Sequence, residues 1–291
     1  FLAEQTGKFR ESALRLGAAI SGDGALQASM GIGVSDYDHD GLLDIVLSHF
    51  SGESNTLYQN LGDFGFDDVS GGTRLRAASF SKLGFGIVMH DFDANGTTDM
   101  LVANGHIDDR NADGDGYLQH PQILSLSDGR WVDCAATAGE YFSKKYVGRG
   151  IATGDYDRDG DLDVLVVHQN SPVELLRNDS QSGHQLKLKF LGRVSNRRGI
   201  GCRVELVQTD GTRLVQELAG GTSYCSSHEP ALFFGTGASD TPVTLRINWP
   251  SGERQQFENV LLDQQLLAIE PAGSQPGGLV TIRSSGKAFG R

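Results

Sequence analysis

Cysteine and proline are scarce in this 291-residue chain, basic charge is outweighed, and long apolar runs are missing. The 3 cysteines, Cys134, Cys202 and Cys225, show no zinc spacing, and an odd number cannot all pair within one chain. Cys202 and Cys225 are left as either a bridge or two buried thiols. No apolar stretch approaches the ~18 residues that a membrane-spanning helix needs, so no membrane span is expected. Lys and Arg number 25 against 37 Asp and Glu, a formal charge of −12. That balance excludes the basic surface that nucleic-acid phosphates require. A glycine-rich phosphate loop, a G-x-S-x-G elbow and an H-E-x-x-H pair are all lacking, so no catalytic motif is at hand. Only 7 prolines accompany 39 glycines, a mixture that suits short strands joined by tight turns.

What is present is a nine-residue loop, three times over. Asp36-Tyr37-Asp38-His39-Asp40-Gly41-Leu42-Leu43-Asp44 is followed by a copy from Asp91 to Asp99 and another from Asp155 to Asp163. Each reads D-x-[DN]-x-[DN]-G-x-x-D, an all-oxygen ligand set for a hard cation such as Ca²⁺. Positions one, three, five and nine offer side-chain oxygens: Asp36, Asp38, Asp40 and Asp44, then Asp91, Asp93, Asn95 and Asp99, then Asp155, Asp157, Asp159 and Asp163. The seventh residues, Leu42, Thr97 and Asp161, offer their carbonyls, and the glycine at the sixth permits a sharp turn. An EF-hand closes at its twelfth position and continues into a helix. Here the ninth Asp runs into Ile45-Val46-Leu47, Met100-Leu101-Val102 or Val164-Leu165-Val166, which favour strand. Aspartate and glycine are common in β-turns, but three framed copies point to three calcium sites. Three Ca²⁺ would bring −12 to −6. A fourth acidic stretch, Asp109 with Asn111, Asp113 and Asp115, reads as either another cation site or a solvated loop, since no closing carboxylate follows at the right distance.

The loops recur with periods of 55 and 64 residues, and the aromatics Phe9, Phe66 and Trp131 with periods of 57 and 65. Two markers on one period define a repeat. Each unit reads as four short strands, except that the third has no aromatic fourth strand. That describes β-propeller blades over 1–180. Alternating and apolar runs from His184 onward predict a small antiparallel β-domain over 184–271, with a Ser-, Gly- and Pro-bearing tail over 272–291. The expected fold is all-β.

Gly84-Phe85-Gly86 with the Asp loops resembles the FG-GAP (VCBS) repeats of integrin α-subunit propellers. Asn104-Gly105-His106-Ile107, Gly148-Arg149-Gly150, Ser195-Asn196-Arg197-Arg198-Gly199-Ile200-Gly201, Phe234-Gly235-Thr236-Gly237 and Trp249-Pro250-Ser251-Gly252 narrow the resemblance. They are similar to the cartilage acidic protein family and its bacterial relatives, in which such repeats precede an ASPIC/UnbV domain. Three cysteines cannot build the cysteine-rich module of vertebrate members, so the bacterial form is the better match. Three blades do not close a ring, and Phe1 opens partway through a repeat without an initiator Met. The remaining blades and a leader are therefore expected to be missing from this chain.

The resemblance and the loops together imply a secreted, cell-surface or periplasmic calcium-binding module that recognises a protein or glycan without catalysis. The alternative is a propeller hydrolase or lyase, or a biosynthetic role. Either way, the strand ends opposite the Asp loops are the expected ligand face, carrying His49, Asn104, His106, Arg149, His168 and Asn170. Ordinary solvent-facing loop histidines are the competing explanation.

Overall fold

The computed structural model describes residues 2–3, 7–109, 116–180 and 183–284. A short ribbon, β1 (Leu2–Ala3) with β2 (Phe9–Arg10), precedes the first blade. That blade comprises β3 (Ile32–Ser35), β4 (Asp44–Leu47), β5 (Thr56–Asn60) and β6 (Phe66–Asp68). The second comprises β7 (Gly84–His90), β8 (Asp99–Asn104), β9 (Gln122–Ser127) and β10 (Arg130–Asp133). The third stops at β11 (Gly148–Gly154), β12 (Asp163–His168) and β13 (Glu174–Leu176). All neighbours are antiparallel and paired in chain order, as expected of consecutive hairpins. The third sheet has three strands where the sequence lacks the fourth aromatic.

Strand alternation assigns each side chain to one inter-blade layer. On β8, Met100 and Val102 join Val46, Leu57, Ile87 and Met89 between the first two blades. Leu101 and Ala103 point the other way, to Ile151, Val164 and Val166 of the third. The equivalent positions on β12, Leu165 and Val167, are 38% and 47% exposed. The core of the blades thus lies between sheets, and the third blade keeps one face uncovered.

The C-terminal strands are β14 (His184–Leu191), β15 (Arg203–Val207), β16 (Arg213–Glu217), β17 (Ala231–Gly237), β18 (Val243–Asn248), β19 (Arg254–Val260), β20 (Gln264–Ile269) and β21 (Gly278–Ser284). They form two sheets, ordered β17-β14-β20-β21 and β16-β15-β18-β19. Pairing is antiparallel except between β14 and β20, which run parallel. Leu186, Leu188, Val204, Leu206, Phe234, Leu245, Ile247 and Trp249 fill one core between the two sheets. Glu270 anchors a neighbouring turn. Its carboxylate accepts the N–H groups of Arg193, Val194 and Ser195 at 2.8 Å and the hydroxyls of Ser195 and Ser251. Against the cost of its burial, the Ser251 and Ser195 hydroxyls, followed by the amides of Ser195 and Val194, hold its pKa down to about 2.

One expectation is corrected here, and the alternatives left open for Cys202 and Cys225 are decided. The segment 272–291 is no loose tail through Ser284, because Leu279, Val280, Thr281 and Ile282 are β-formers and β21 pairs with β20. Cys202 is fully buried and Cys225 exposed, and neither is bonded, so the bridge is not made.

The five larger sheets give a five-bladed, propeller-like arrangement. The C-terminal sheets meet the blades at two places. Ala231 and Phe233 of β17 enter the layer between the second and third blades, while Leu232 and Phe234 face the C-terminal core. On the other side, Ile32 bridges to Ser223, and Arg203 Nη2 donates to the Gly41 carbonyl at 2.5 Å. Among the described residues no helix is long and apolar enough to cross a membrane.

Candidate metal centre

The three Asp loops share one backbone path. The fourth residue is left-handed in each, with φ of 62° at His39, 55° at Ala94 and 67° at Arg158. The sixth follows at 89°, 89° and 107° in Gly41, Gly96 and Gly160, a conformation that glycine adopts without steric cost. Side-chain oxygens cap the turn from inside. The Gly41 N–H donates to Asp36 Oδ2 at 3.1 Å, and that of Gly96 to Asp91 Oδ2 at 2.8 Å. The N–H of the seventh residue donates to the fifth side chain at 2.7 Å in the first two loops and 3.0 Å in the third.

The ninth carboxylate ties loop to blade. One oxygen accepts the N–H of the second loop residue: Tyr37 to Asp44 at 3.1 Å, Phe92 to Asp99 at 3.1 Å and Tyr156 to Asp163 at 2.9 Å. The other oxygen is held from the third strand or the residues just after it. Asn60 N–H reaches Asp44 and Asn178 N–H reaches Asp163, both at 2.8 Å, and the Ser125 hydroxyl reaches Asp99 at 2.6 Å.

In each loop three carboxylates bring an oxygen within 4.8 Å of the others. The sets are Asp36, Asp38 and Asp40, then Asp91, Asp93 and Asp99, then Asp155, Asp157 and Asp163. Burial and neighbouring carboxylates push up the pKa of Asp36 to about 6, Asp44 to about 7, Asp91 to about 8 and Asp99 to about 6. Asp163 shifts the same way, for the same first reason. Asp36 Oδ1 and Asp155 Oδ1 are buried without a hydrogen-bond partner. Buried anions with orphaned oxygens are costly unless a cation meets them. The residues present therefore fit a divalent metal.

Sequence reasoning did not find the C-terminal residues that reach these loops. Lys187 Nζ lies 2.9 Å from Asp155 Oδ2, Gln185 Nε2 donates to Asp161 Oδ1 at 2.7 Å, and the Asp155 N–H donates to Glu229 Oε2 at 3.0 Å. Gly237 N–H donates to the Ala94 carbonyl at 3.0 Å. A Cβ at Gly235 would stand 2.0 Å from Asp91 Oδ2, so this strand can lie against the second loop only with glycine there. In Leu186-Lys187-Leu188-Lys189 the lysines fall on the polar side of an alternating strand, and Lys187 is nonetheless buried.

The expected ligand face is largely an interior layer. His49, Asn104, His106 and His168 are all buried, so they form neither an open rim nor solvent-facing loop histidines. Asn104 Nδ2 donates to the His120 carbonyl at 3.0 Å, and His168 meets the Tyr141 hydroxyl at 2.9 Å while stacking on Tyr146. Arg149 joins the repeats. Its guanidinium donates to the Gly105 and His106 carbonyls at 3.1 Å and covers the Phe85 ring at 4.0 Å. Of the six, Asn170 is exposed and Arg149 half-buried. The physical reason lies between the blades: the segments after the outgoing strands fold inward, where they satisfy backbone groups and neighbouring sheets cover them. The possible fourth cation site falls on Asn111, Asp113 and Asp115, outside the described residues.

Comparison with known proteins agrees with this architecture. An FG-GAP-like repeat family model matches residues 36–102, and an ASPIC and UnbV model matches residues 192–275. Cartilage acidic protein 1 of Xenopus tropicalis is 24% identical over 245 residues, covering 79% of this chain and 35% of that protein. The Homo sapiens protein of the same name is 24% identical over 248 residues, covering 81% and 35%. The chain spans about a third of the length of these relatives. A solved structure titled putative exo-beta-1,3-galactanase, from Bifidobacterium bifidum s17, aligns over 88% of this chain and 81% of its own. At 11% identity and a TM-score of 0.33 it carries no argument. The chain is thus related to the cartilage acidic protein family through its FG-GAP-like repeats and its ASPIC/UnbV-like region.

Proposed function

We propose that this chain is a calcium-binding, non-catalytic recognition module that works outside the cell, at its surface or in the periplasm. The first loop holds calcium through Asp36, Asp38, Asp40, the Leu42 carbonyl and Asp44. The second uses Asp91, Asp93, Asn95, Thr97 and Asp99, and the third Asp155, Asp157, Asp159, Asp161 and Asp163. The observation that carries this reading is the convergence of three carboxylates per loop, together with the buried, unpartnered oxygens of Asp36 and Asp155. Oxygen-only sites of this kind suit the millimolar calcium of extracellular fluid. The relation to the cartilage acidic proteins supports an extracellular or surface setting. Calorimetric titration of chelated protein should give about three calcium ions per chain; no heat up to millimolar calcium would sink the reading.

The bound partner on this reading is a protein or a glycan, met at the ends of the blades away from the loops. Blades over 1–180 carry the calcium, and 184–271 forms the ASPIC/UnbV unit. Because His49, Asn104, His106 and His168 are buried, Asn170 and the edge of Arg149 are the groups there that a partner can touch. A glycan and protein array probed with and without calcium tests this. Asn170→Ala with Arg149→Ala should abolish any calcium-dependent signal while calcium content is kept, and unchanged binding would move recognition to another face.

A further inference from the structure

The third loop is met by a side-chain cation at a ligand carboxylate, whereas Arg203 reaches the first loop only at the Gly41 carbonyl. Lys187, on β14, is 5% exposed along its side chain, with Nζ 2.9 Å from both Asp155 Oδ2 and Glu229 Oε2. Glu229 also binds Lys189 Nζ at 2.7 Å through its other oxygen. Two ammonium groups against one carboxylate leave a net positive charge beside Asp155. The Phe233 ring, 4.9 Å from Lys187 Nζ, is a further neighbour. The first residues of the other loops are held differently. Asp36 accepts from the Gly41 N–H, and Asp91 from those of Asn95 and Gly96.

We propose that Lys187 is a resident counter-cation of the third loop. With Glu229 it sets that loop's divalent-ion affinity below the first loop's, and it keeps the loop fastened to β14 when no metal is bound. The inference rests on the calcium reading above. A metal among Asp155, Asp157 and Asp163 would sit a few ångströms from a buried ammonium, where like charges repel strongly. The ammonium also relieves in advance part of the carboxylate repulsion that metal would otherwise relieve. Counting carboxylates alone gives no difference between them, because the first and third loops both have four at positions one, three, five and nine.

The loops carry their own reporters. Tyr37 is the second residue of the first loop and Tyr156 of the third, and tyrosine sensitises the emission of bound terbium, a calcium substitute. In the full chain, Tyr37→Phe leaves Tyr156 to read the third loop, and Tyr156→Phe leaves Tyr37 to read the first. The third-loop midpoint should lie at about tenfold higher terbium than the first. Lys187→Met should lower the third-loop midpoint about tenfold without moving the first, and Lys187→Arg should restore it. Glu229→Gln, which leaves the ammonium charge uncompensated, should raise it. Hydrogen exchange on chelated protein should show β14 less protected in Lys187→Met than in wild type. An unchanged or raised midpoint in Lys187→Met, or a lowered one in Glu229→Gln, overturns this inference alone. Should Lys187→Met not fold, the sign of the Glu229→Gln shift decides. Absence of sensitised emission from either reporter would sink the calcium reading and this inference with it.

Discussion

The blades and the C-terminal sheets use strands of similar length, yet they cohere by different means. Each blade is a run of local hairpins whose apolar residues pack against the next sheet, so its core is shared with its neighbours. The C-terminal sheets are interleaved in chain order and enclose one core between them. Charge follows the same division. The three acidic clusters found among the described residues lie in the blades, while the C-terminal strands supply Lys187 and Arg203 to the loops. On the calcium reading proposed above, one region adds cations at its turns to its shared apolar layers, and the other rests on buried apolar area alone. The seam between them is where the two requirements meet.

Chelation should separate the regions most strongly. Native-state ligands stabilise by mass action, about 4 kcal/mol per site at a thousandfold excess over Kd. Hydrogen exchange after calcium removal should deprotect residues 32–168 first, with β15 and β18 last. Because β17 is buried against the second loop, its amides should follow the blades. Equal loss throughout would show one cooperative unit.

Core truncation tests the other side. Phe234 is 1% exposed within the C-terminal core, and Phe234→Ala should cost about 3–5 kcal/mol. Chemical denaturation should place that loss in the transition reported by the C-terminal sheets. A matching fall in the blade transition would erase the distinction.

Acid should act at the seam. His228 Nδ1 accepts the Thr153 N–H at 3.0 Å, its Nε2 meets the Thr222 hydroxyl, and His90 packs edge-on to its ring. Burial holds its pKa down to about 4 from 6.5. A depressed histidine favours the folded state while neutral. That contribution is complete above pH 6.5 and is lost as pH falls toward 4. Melting at pH 7, 5 and 4 should show a decline that His228→Gln reduces, and parallel curves would exclude His228 as the cause.

The smallest effect concerns the second loop. Asn95 Oδ1 already accepts the Thr97 N–H at 2.7 Å, so Asn95→Asp keeps the turn and adds a fourth carboxylate. Calcium affinity there should rise by a few-fold, about the effect of one added ligand charge. A weaker site would show that charge count does not govern it.

Much of this was legible in the sequence because local chemistry decides it. The D-x-[DN]-x-[DN]-G-x-x-D loops prescribe their own turns, and the strands after Asp44, Asp99 and Asp163 alternate their side chains between two faces, both of them buried only in the second blade. Other features depend on partners distant in sequence. Nothing local marks Lys187 as buried, since alternation predicts only which side it takes and not what covers that side. His49, His106 and His168 read as rim residues because they follow strands. Their burial depends on how neighbouring blades close over them. The glycine of Phe234-Gly235-Thr236-Gly237 was visible as a motif, but its reason, the approach to Asp91, needed the fold.

The parallel pair of β14 and β20 also has a consequence in time. Leu186 pairs with Gln264 and Leu191 with Ile269, so β14 waits for chain made much later. Each blade can form from contacts available as its hairpins emerge, whereas non-local pairing is slow because distant segments must first meet. During synthesis β14 is the first C-terminal strand to appear, and it lacks one of its neighbours until the chain has passed Ile269. In that interval its charged side, bearing Lys187 and Lys189, faces a blade already furnished with carboxylates. The acidic loop can thus receive the new strand while the apolar side still waits for its partner.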